Sequence, residues 1–286
     1  MIPSGAGRAD GPAGSAAFGA LLSGANTRVV EARKLTKAAG RRTAGQFLAE
    51  GAPAVREALA ARAVVALYVT ADAAARHPEL VESARTLGAA VNLIDARTAA
   101  GLSQAVTPQG LIAVCPRQPV DLVEALLPGP TLVAALVEGN DPGNAGTVLR
   151  TADAAGAGAM VFAGVGVDPY NAKAVRATAG SLFHLPVVLE PSPAHLVATA
   201  RSAGLQVLAT TGRGAVDLDD LIDAGSLGRP TLWLFGNEAH GLPEEVLDSA
   251  DVGVRIPIYG AAESLNLATA AAVCLYASAR ALRQPI

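Results

Sequence analysis

An α/β fold is the class this 286-residue sequence predicts, and three observations carry it. Short runs such as Thr131–Val137, Ala159–Ala163 and Thr231–Phe235 are apolar almost without interruption, as strands buried on both faces of a parallel sheet are. Helix-compatible stretches separate them, and strand and helix in alternation build a parallel sheet covered by helices on both sides. Finally, several apolar runs end in Gly-rich polar segments, the clearest being Gly236-Asn237-Glu238-Ala239-His240-Gly241 after Phe235. Open α/β sheets bind their ligands at that end of the strands.

In chain order, the first 25 residues are rich in Gly, Ala and Ser and read as a flexible tail. Residues 28–42 form a basic cluster in which Arg28, Arg33, Lys34, Lys37, Arg41 and Arg42 face the single acid Glu31. It is either a solvated helix face or a phosphate-contacting surface. A strand near 47–49, a helix at 52–60, a strand at 64–69, a helix at 78–87, a strand at 90–94 and a strand at 111–115 complete an α/β unit spanning residues 26–118. Pro119, Pro128, Gly129 and Pro130 then read as a linker over residues 119–130. The second unit, residues 131–286, has strands at 131–137, 159–163, 185–189, 206–209, 231–235 and 252–256. Its helices are expected at 147–155, 173–179 and 194–203, with a long Ala-rich one ending at Leu282.

Charge divides along the same boundary. Residues 26–118 carry 12 Lys/Arg against 7 Asp/Glu, whereas residues 119–286 carry 9 against 17. A positive first half and a negative second half suggest that the first one meets a polyanion. The two cysteines, Cys115 and Cys274, lack the spacing of metal ligands and read as reduced core residues of a cytoplasmic protein; no metal is expected. The most apolar segment, 267–279, is too short for a membrane span and contains Thr and Ser. Phosphate-loop, serine-elbow and His-Glu-x-x-His motifs are all missing, and Gly156-Ala157-Gly158 follows a helix, the reverse of a dinucleotide-binding turn.

Three polar clusters follow strands. The first, Glu138 to Gly146, leads into a helix that carries Arg150. Asn144 is placed to cap that helix, and Arg150 either serves a site or pairs with Asp153 one turn on. The second cluster contains Asn237, Glu238 and His240, and Pro243 with Glu244 and Glu245 marks a helix start. His240 reads as a hydrogen-bonding loop residue more readily than as a general base, since no nucleophile adjoins it. In the third cluster, Ile256 to Asn266, Ser264 is placed as a cap with Asn266 in the first turn; capping explains one of the two.

In this order and spacing the clusters resemble the three signature motifs of the SpoU (TrmH) family of RNA 2′-O-ribose methyltransferases, in the SPOUT class. The matching residues are Asn144 through Arg150 with Thr151-Ala152-Asp153, Phe235 through Leu242, and Ile256-Pro257-Ile258 with Ser264-Leu265-Asn266. The resemblance implies a catalytic domain with a parallel sheet and a deep trefoil knot, S-adenosylmethionine as cofactor, and homodimers packed through the knotted region. It implies catalytic roles for Arg150, Asn144, Glu238, Ser264 and Asn266. It also implies cofactor contacts at Gly236, Ile256 and Leu265, and at Thr210 and Thr211, made largely through backbone. The N-terminal unit is similar to the ribosomal-protein-L30e-like RNA-binding domain that many of these enzymes carry.

The expectation is therefore methylation of ribosomal RNA, resembling the thiostrepton-resistance-type branch. Transfer RNA is the alternative substrate, and a catalytically idle RNA-binding or assembly factor on the same scaffold is the alternative class. The helix 267–282 reads equally as a dimer interface and as a core element.

Overall fold

The computed structural model describes residues 19–283. The first part comprises α1 (Thr27–Lys34), α2 (Ala38–Ala44), β1 (Gln46–Glu50), α3 (Ala52–Ala60), β2 (Ala66–Val69), α4 (Ala71–Arg76), α5 (Pro78–Thr86), β3 (Ala90–Leu93), α6 (Ala96–Leu102) and β4 (Leu111–Pro116). Its four strands lie in the order β1-β4-β2-β3, with β4 antiparallel to both neighbours and β2 parallel to β3. Of the expected tail, residues 1–18 lie outside the described residues. Leu22, however, is tied down: its N–H donates to the Leu93 carbonyl at 2.8 Å, extending the sheet beyond β3.

The second part comprises β5 (Pro119–Val120), α7 (Leu122–Leu126), β6 (Leu132–Val137), α8 (Pro142–Ala155), β7 (Ala159–Ala163), α9 (Ala172–Thr178), β8 (Val187–Glu190), α10 (Pro193–Ser202), β9 (Gln206–Thr210), β10 (Val216–Asp217), α11 (Leu218–Asp223), β11 (Thr231–Phe235), α12 (Glu244–Ser249), β12 (Val252–Arg255) and α13 (Leu267–Leu282). Eight strands form one sheet in the order β10-β12-β9-β11-β6-β7-β8-β5. Every pairing in it is parallel. All residues of β6, β7 and β11 are buried, which is why those runs carry no polar alternation; each large apolar side chain so buried contributes about 1.5–3 kcal/mol. Trp233 stacks near Phe235, with ring centroids 6.2 Å apart, and its Nε1 donates to Ser278 Oγ of α13 at 2.9 Å.

Residues 119–130 correct the linker expectation. β5 pairs with β8 at the edge of the large sheet, and Leu122, Ala125 and Leu126 of α7 are buried in the core on one face of that sheet. The prolines end and start elements here and do not interrupt packing. The two parts are also not independent in their packing. Phe47 of β1 lies 5.0 Å from the Tyr170 ring and 6.0 Å from the Phe183 ring, within one core cluster shared by both sheets.

β6, β7 and β8 run outward in one direction, and the chain then crosses to β9 on the far side. The slot between β9 and β6 is filled by β11. The carboxyl ends of β6 and β11 therefore meet at the point where strand order reverses, and their two loops face one another there.

Candidate functional site

Around this switch point three loops come together, following β6, β11 and β12. Gly236 is required by the close approach: a Cβ there would lie 2.3 Å from the Gly241 carbonyl carbon and 2.4 Å from the Leu242 nitrogen. Asn237 and Gly241 exchange backbone hydrogen bonds of 2.9 Å, closing residues 238–240 into a tight loop. The Asn237 side chain locks both ends of that arrangement. Its Oδ1 accepts from the Ala239 and His240 N–H groups, and its Nδ2 donates to the Glu138 carbonyl at 2.9 Å.

Glu238, so presented, anchors a chain of side-chain hydrogen bonds. Asn144 Nδ2 donates to Glu238 Oε1 at 3.1 Å, and Asn266 Nδ2 donates to Asn144 Oδ1 at 3.1 Å. The direction of this relay is fixed at both ends. Glu238 can only accept, and Asn266 Oδ1 is committed to the α13 N-terminus, accepting from Ala268 and Thr269 N–H. Asn144 must therefore turn its amide toward the carboxylate and its carbonyl toward Asn266. Burial pushes the Glu238 carboxyl up, but donors from its own backbone, Asn144, Asn140 and Asp141 outweigh it and hold the pKa below the usual carboxylate range. The group stays ionised and acts as an acceptor that orients amides.

Two capping expectations are corrected here. α8 begins at Pro142, with Asp141 as its N-cap accepting from the Asn144 N–H at 2.8 Å. Asn144 thus sits one turn inside the helix, which frees its side chain for Glu238. Lys173 Nζ lies 2.6 Å from Asp141 and, with the Asn144 N–H, depresses the Asp141 pKa. Asn266, not Ser264, caps α13; Ser264 is exposed in the preceding loop without a hydrogen bond among the described residues. The capping role of Asp141 was missed at sequence level, whereas Asn237 had been singled out in the second cluster. The Asp141-Pro142 pair carried the signal, being an N-cap residue followed by proline at the first helical position.

Arg150 is exposed on α8 and forms no hydrogen bond or ion pair among the described residues. The reading in which it pairs with Asp153 is excluded, since Asp153 instead bonds His184 Nδ1 at 2.8 Å. His240 offers only its backbone to the site.

The other sequence-predicted residues line the loops after β9 and β12. Thr210 Oγ1 donates to the Leu234 carbonyl at 3.0 Å, and Thr211 N–H donates to the Val254 carbonyl at 2.9 Å, so both hold the loops together. From Ile258 to Leu265 the backbone makes no backbone–backbone hydrogen bond among the described residues. A segment with its N–H and C=O groups so free suits a ligand held through main chain. Leu265 is half-exposed beside it, and Ile256 is partly buried against the core. No group of three His, Cys, Asp or Glu side chains among the described residues is placed for a metal. Cys115 and Cys274 are buried, and burial raises both thiols, Cys274 to about 12.

On the N-terminal part, Arg28, Arg33, Lys34, Lys37 and Arg42 are exposed, with Lys34 paired to Glu31 at 2.7 Å. Arg41 is the correction. It is 3% exposed, its Nη2 lies 2.8 Å from Asp168 Oδ2 and its Nη1 donates to the Leu35 carbonyl. It joins the two parts of the molecule and is unavailable to a ligand.

Comparison with known proteins gives two regions of likeness. Residues 131–276 match the model of the SpoU rRNA Methylase family, and residues 26–113 match the MRM3-like substrate binding domain. The chain is 32% identical to the 23S rRNA (guanosine(2553)-2′-O)-methyltransferase RlmP of Bacillus subtilis, over 90% of this chain and 97% of that one. Among solved structures, an AdoMet-bound rRNA methyltransferase from Sinorhizobium meliloti superposes with a TM-score of 0.77 at 29% identity, covering 92% of this chain and 98% of the other. The SpoU methyltransferase AviRb from Streptomyces viridochromogenes, in complex with AdoMet, also gives 0.77, at 31% identity over 89% and 98%.

Proposed function

This chain belongs to the SpoU rRNA methylase family, and from that premise we propose that it methylates the 2′-hydroxyl of a ribose in ribosomal RNA, with S-adenosylmethionine as donor. The observation that carries the reading is the Asn266–Asn144–Glu238 relay at the strand-order reversal, whose middle member shares α8 with the exposed Arg150 guanidinium, unpartnered among the described residues. The free main chain of residues 258–265, with Gly236, Ile256, Leu265, Thr210 and Thr211 around it, fits a donor held by backbone groups. The bound donor supplies an electrophilic methyl group on a sulfonium.

In this mechanism the 2′-oxygen forms a bond to the methyl carbon as the carbon–sulfur bond breaks, the electron pair staying on sulfur and the hydroxyl proton leaving to water or an RNA phosphate. Arg150 grips the adjoining phosphate and stabilises the alkoxide as it develops; its side chain stays protonated throughout. Asn144 and Asn266, held in one orientation by Glu238, position the ribose, and Ser264 closes the site from the third loop. Holding the oxygen in line with the methyl group is where most of the rate comes from.

The exposed cations Arg28, Arg33, Lys34, Lys37 and Arg42 bind RNA backbone, which makes affinity fall steeply with salt. The trefoil knot and the homodimer belong to the same proposal. The knot is supported by α13 returning across β6, β11 and α8 after β12 has paired outside β9. Exposed Val273 and Tyr276 on α13 support the dimer. None of the helices is long and apolar enough to cross a membrane, among the described residues; a cytoplasmic location follows from the substrate proposed.

The test is transfer of labelled methyl groups to unmodified ribosomal and transfer RNA, followed by mapping of 2′-O-methyl positions. Label at one ribose of ribosomal RNA is expected. Label confined to transfer RNA, or absent from both, contradicts the proposal.

A further inference from the structure

A cavity of about 240 Å³ opens between the carboxyl ends of β6, β7 and β8 and the N-terminal part. Its walls are mostly apolar, with Phe162, Leu189 and Pro191 prominent, and five charged residues line it. Two of these have partners. Asp168 is held by Arg41, and Glu190 accepts from the Ser192 N–H at 2.8 Å and bonds His195 Nδ1 at 2.9 Å.

The other three are left over. The Glu138 carboxylate has no hydrogen bond or ion pair among the described residues, although two guanidinium groups line the same space. Arg117 lies over the Tyr170 ring at 4.8 Å, and its Nε is buried without an acceptor among the described residues. Arg42 is exposed at the rim and is likewise unpartnered among the described residues. Buried polar atoms in folded proteins are paired as a rule, so an orphan and an unpaired carboxylate lining the same apolar pocket mark a place for a ligand.

Glu138 is also held against its backbone preference. Its φ is +52°, fixed by its N–H on the Ala163 carbonyl at 2.9 Å and by Asn237 on its own carbonyl. Gly164 makes room for it, since a Cβ there would lie 2.9 Å from Glu138 Cγ. Strain of this kind persists where it aims a side chain. The same Asn237 presents Glu238, so one side chain ties the cavity residue Glu138 to the relay.

We infer that this cavity takes the base of the nucleotide whose ribose is methylated, and that it selects a base with a ring N–H next to a carbonyl, as guanine and uracil have. Glu138 accepts the ring N–H, Arg117 donates to the carbonyl, and Arg42 meets phosphate at the rim. Phe162 and Leu189 cover the base face. Adenine and cytosine present a lone pair at that ring nitrogen, which the carboxylate repels, so they are rejected. The inference rests on the reading of the neighbouring site as one for ribose methylation.

It is tested by calorimetric or NMR titration of the full chain with GMP, UMP, AMP and CMP, and with 1-methyl-GMP and 3-methyl-UMP, in which the ring N–H is blocked. GMP or UMP is expected to bind at least about tenfold tighter than AMP and CMP, and the blocked form to lose that advantage. Glu138→Gln is expected to reduce the preference to within about threefold. Equal binding of all four nucleotides, or undiminished binding of the blocked form, overturns the inference; the second readout uses unaltered protein and does not depend on the variant folding. Methyl transfer to ribosomal RNA with a flat nucleotide profile removes this inference and leaves the enzyme reading standing. A selective profile without transfer to any RNA removes the enzyme reading, and with it the assignment to a methylated nucleotide, and leaves a base-selective cavity.

Discussion

Asn266 does two jobs with two atoms, and Asn266→Asp separates them. The carboxylate keeps an acceptor for the Ala268 and Thr269 N–H groups, so the α13 cap survives; complete loss of an N-cap costs about 1 kcal/mol. What disappears is the donor that now stands 3.1 Å from Asn144 Oδ1. Two acceptors would face each other, and turning the Asn144 amide to relieve them would set its carbonyl against Glu238. The relay therefore fails as a unit: whichever way Asn144 turns, one of the two carboxylates, Glu238 or the new one at 266, loses its amide donor, and a hydrogen bond to a charged group is worth about 1.5–3 kcal/mol. In rate that is about 10- to 150-fold. Single-turnover transfer to ribosomal RNA should fall by this factor, whereas the thermal midpoint should move by no more than about 2–4 °C. Turnover within twofold of the parent protein, with the fold intact, would refute the claim that the relay positions the ribose.

Three further outcomes follow from the geometry. Arg41→Ala leaves Asp168 without its guanidinium in a mostly buried contact and should destabilise the protein by about 3 kcal/mol or more, while the salt dependence of RNA binding stays as it was; denaturant melts and filter binding at several salt concentrations check both halves. Gly236→Ala should yield no soluble, folded enzyme, because a Cβ has backbone within 2.3 Å; recovery of a protein with the parent melting point would contradict the loop packing. His184 bridges Asp153 at 2.8 Å and Glu57 at 3.2 Å, and the Asp153 bond first, with Glu57 adding to it against burial, raises the His184 pKa. A raised folded-state value means the pair stabilises fully below the ordinary histidine value of about 6.5 and loses that contribution as pH rises through the folded-state value. Because the ring is 43% exposed, solvent screening limits the gain to under about 1 kcal/mol. His184→Gln should thus melt below the parent at pH 5.5 and match it by pH 9.

How far the chain could be read in advance depended on what each signal reports. β6, β7 and β11 were plain because strands buried on both faces cannot tolerate polar residues. β5 and α7 were hidden, since a two-residue edge strand and a five-residue helix between prolines leave no periodicity. Arg41 and Arg42 are neighbours of identical type, and only Asp168, 127 residues away in sequence, decides which one is buried. The membership of the site came from resemblance, because its parts lie 94 and 122 residues apart. The capping errors were local: Asp141-Pro142 outranks Asn144 as a helix start, and moving that boundary is what turns Asn144 from a cap into a member of the relay. Glu138 stood at the head of the first cluster, but its conformation gave no signal, since a left-handed backbone at a non-glycine residue is imposed by its neighbours.

The most direct measurement is methyl transfer by Arg150→Ala to unmodified ribosomal RNA, with S-adenosylmethionine affinity measured on the same preparation by calorimetry. The account predicts a loss of at least about 100-fold in turnover, the scale seen when one charge-stabilising donor is removed, with donor affinity within about threefold of the parent. Turnover that survives the substitution, with donor binding intact, would contradict it.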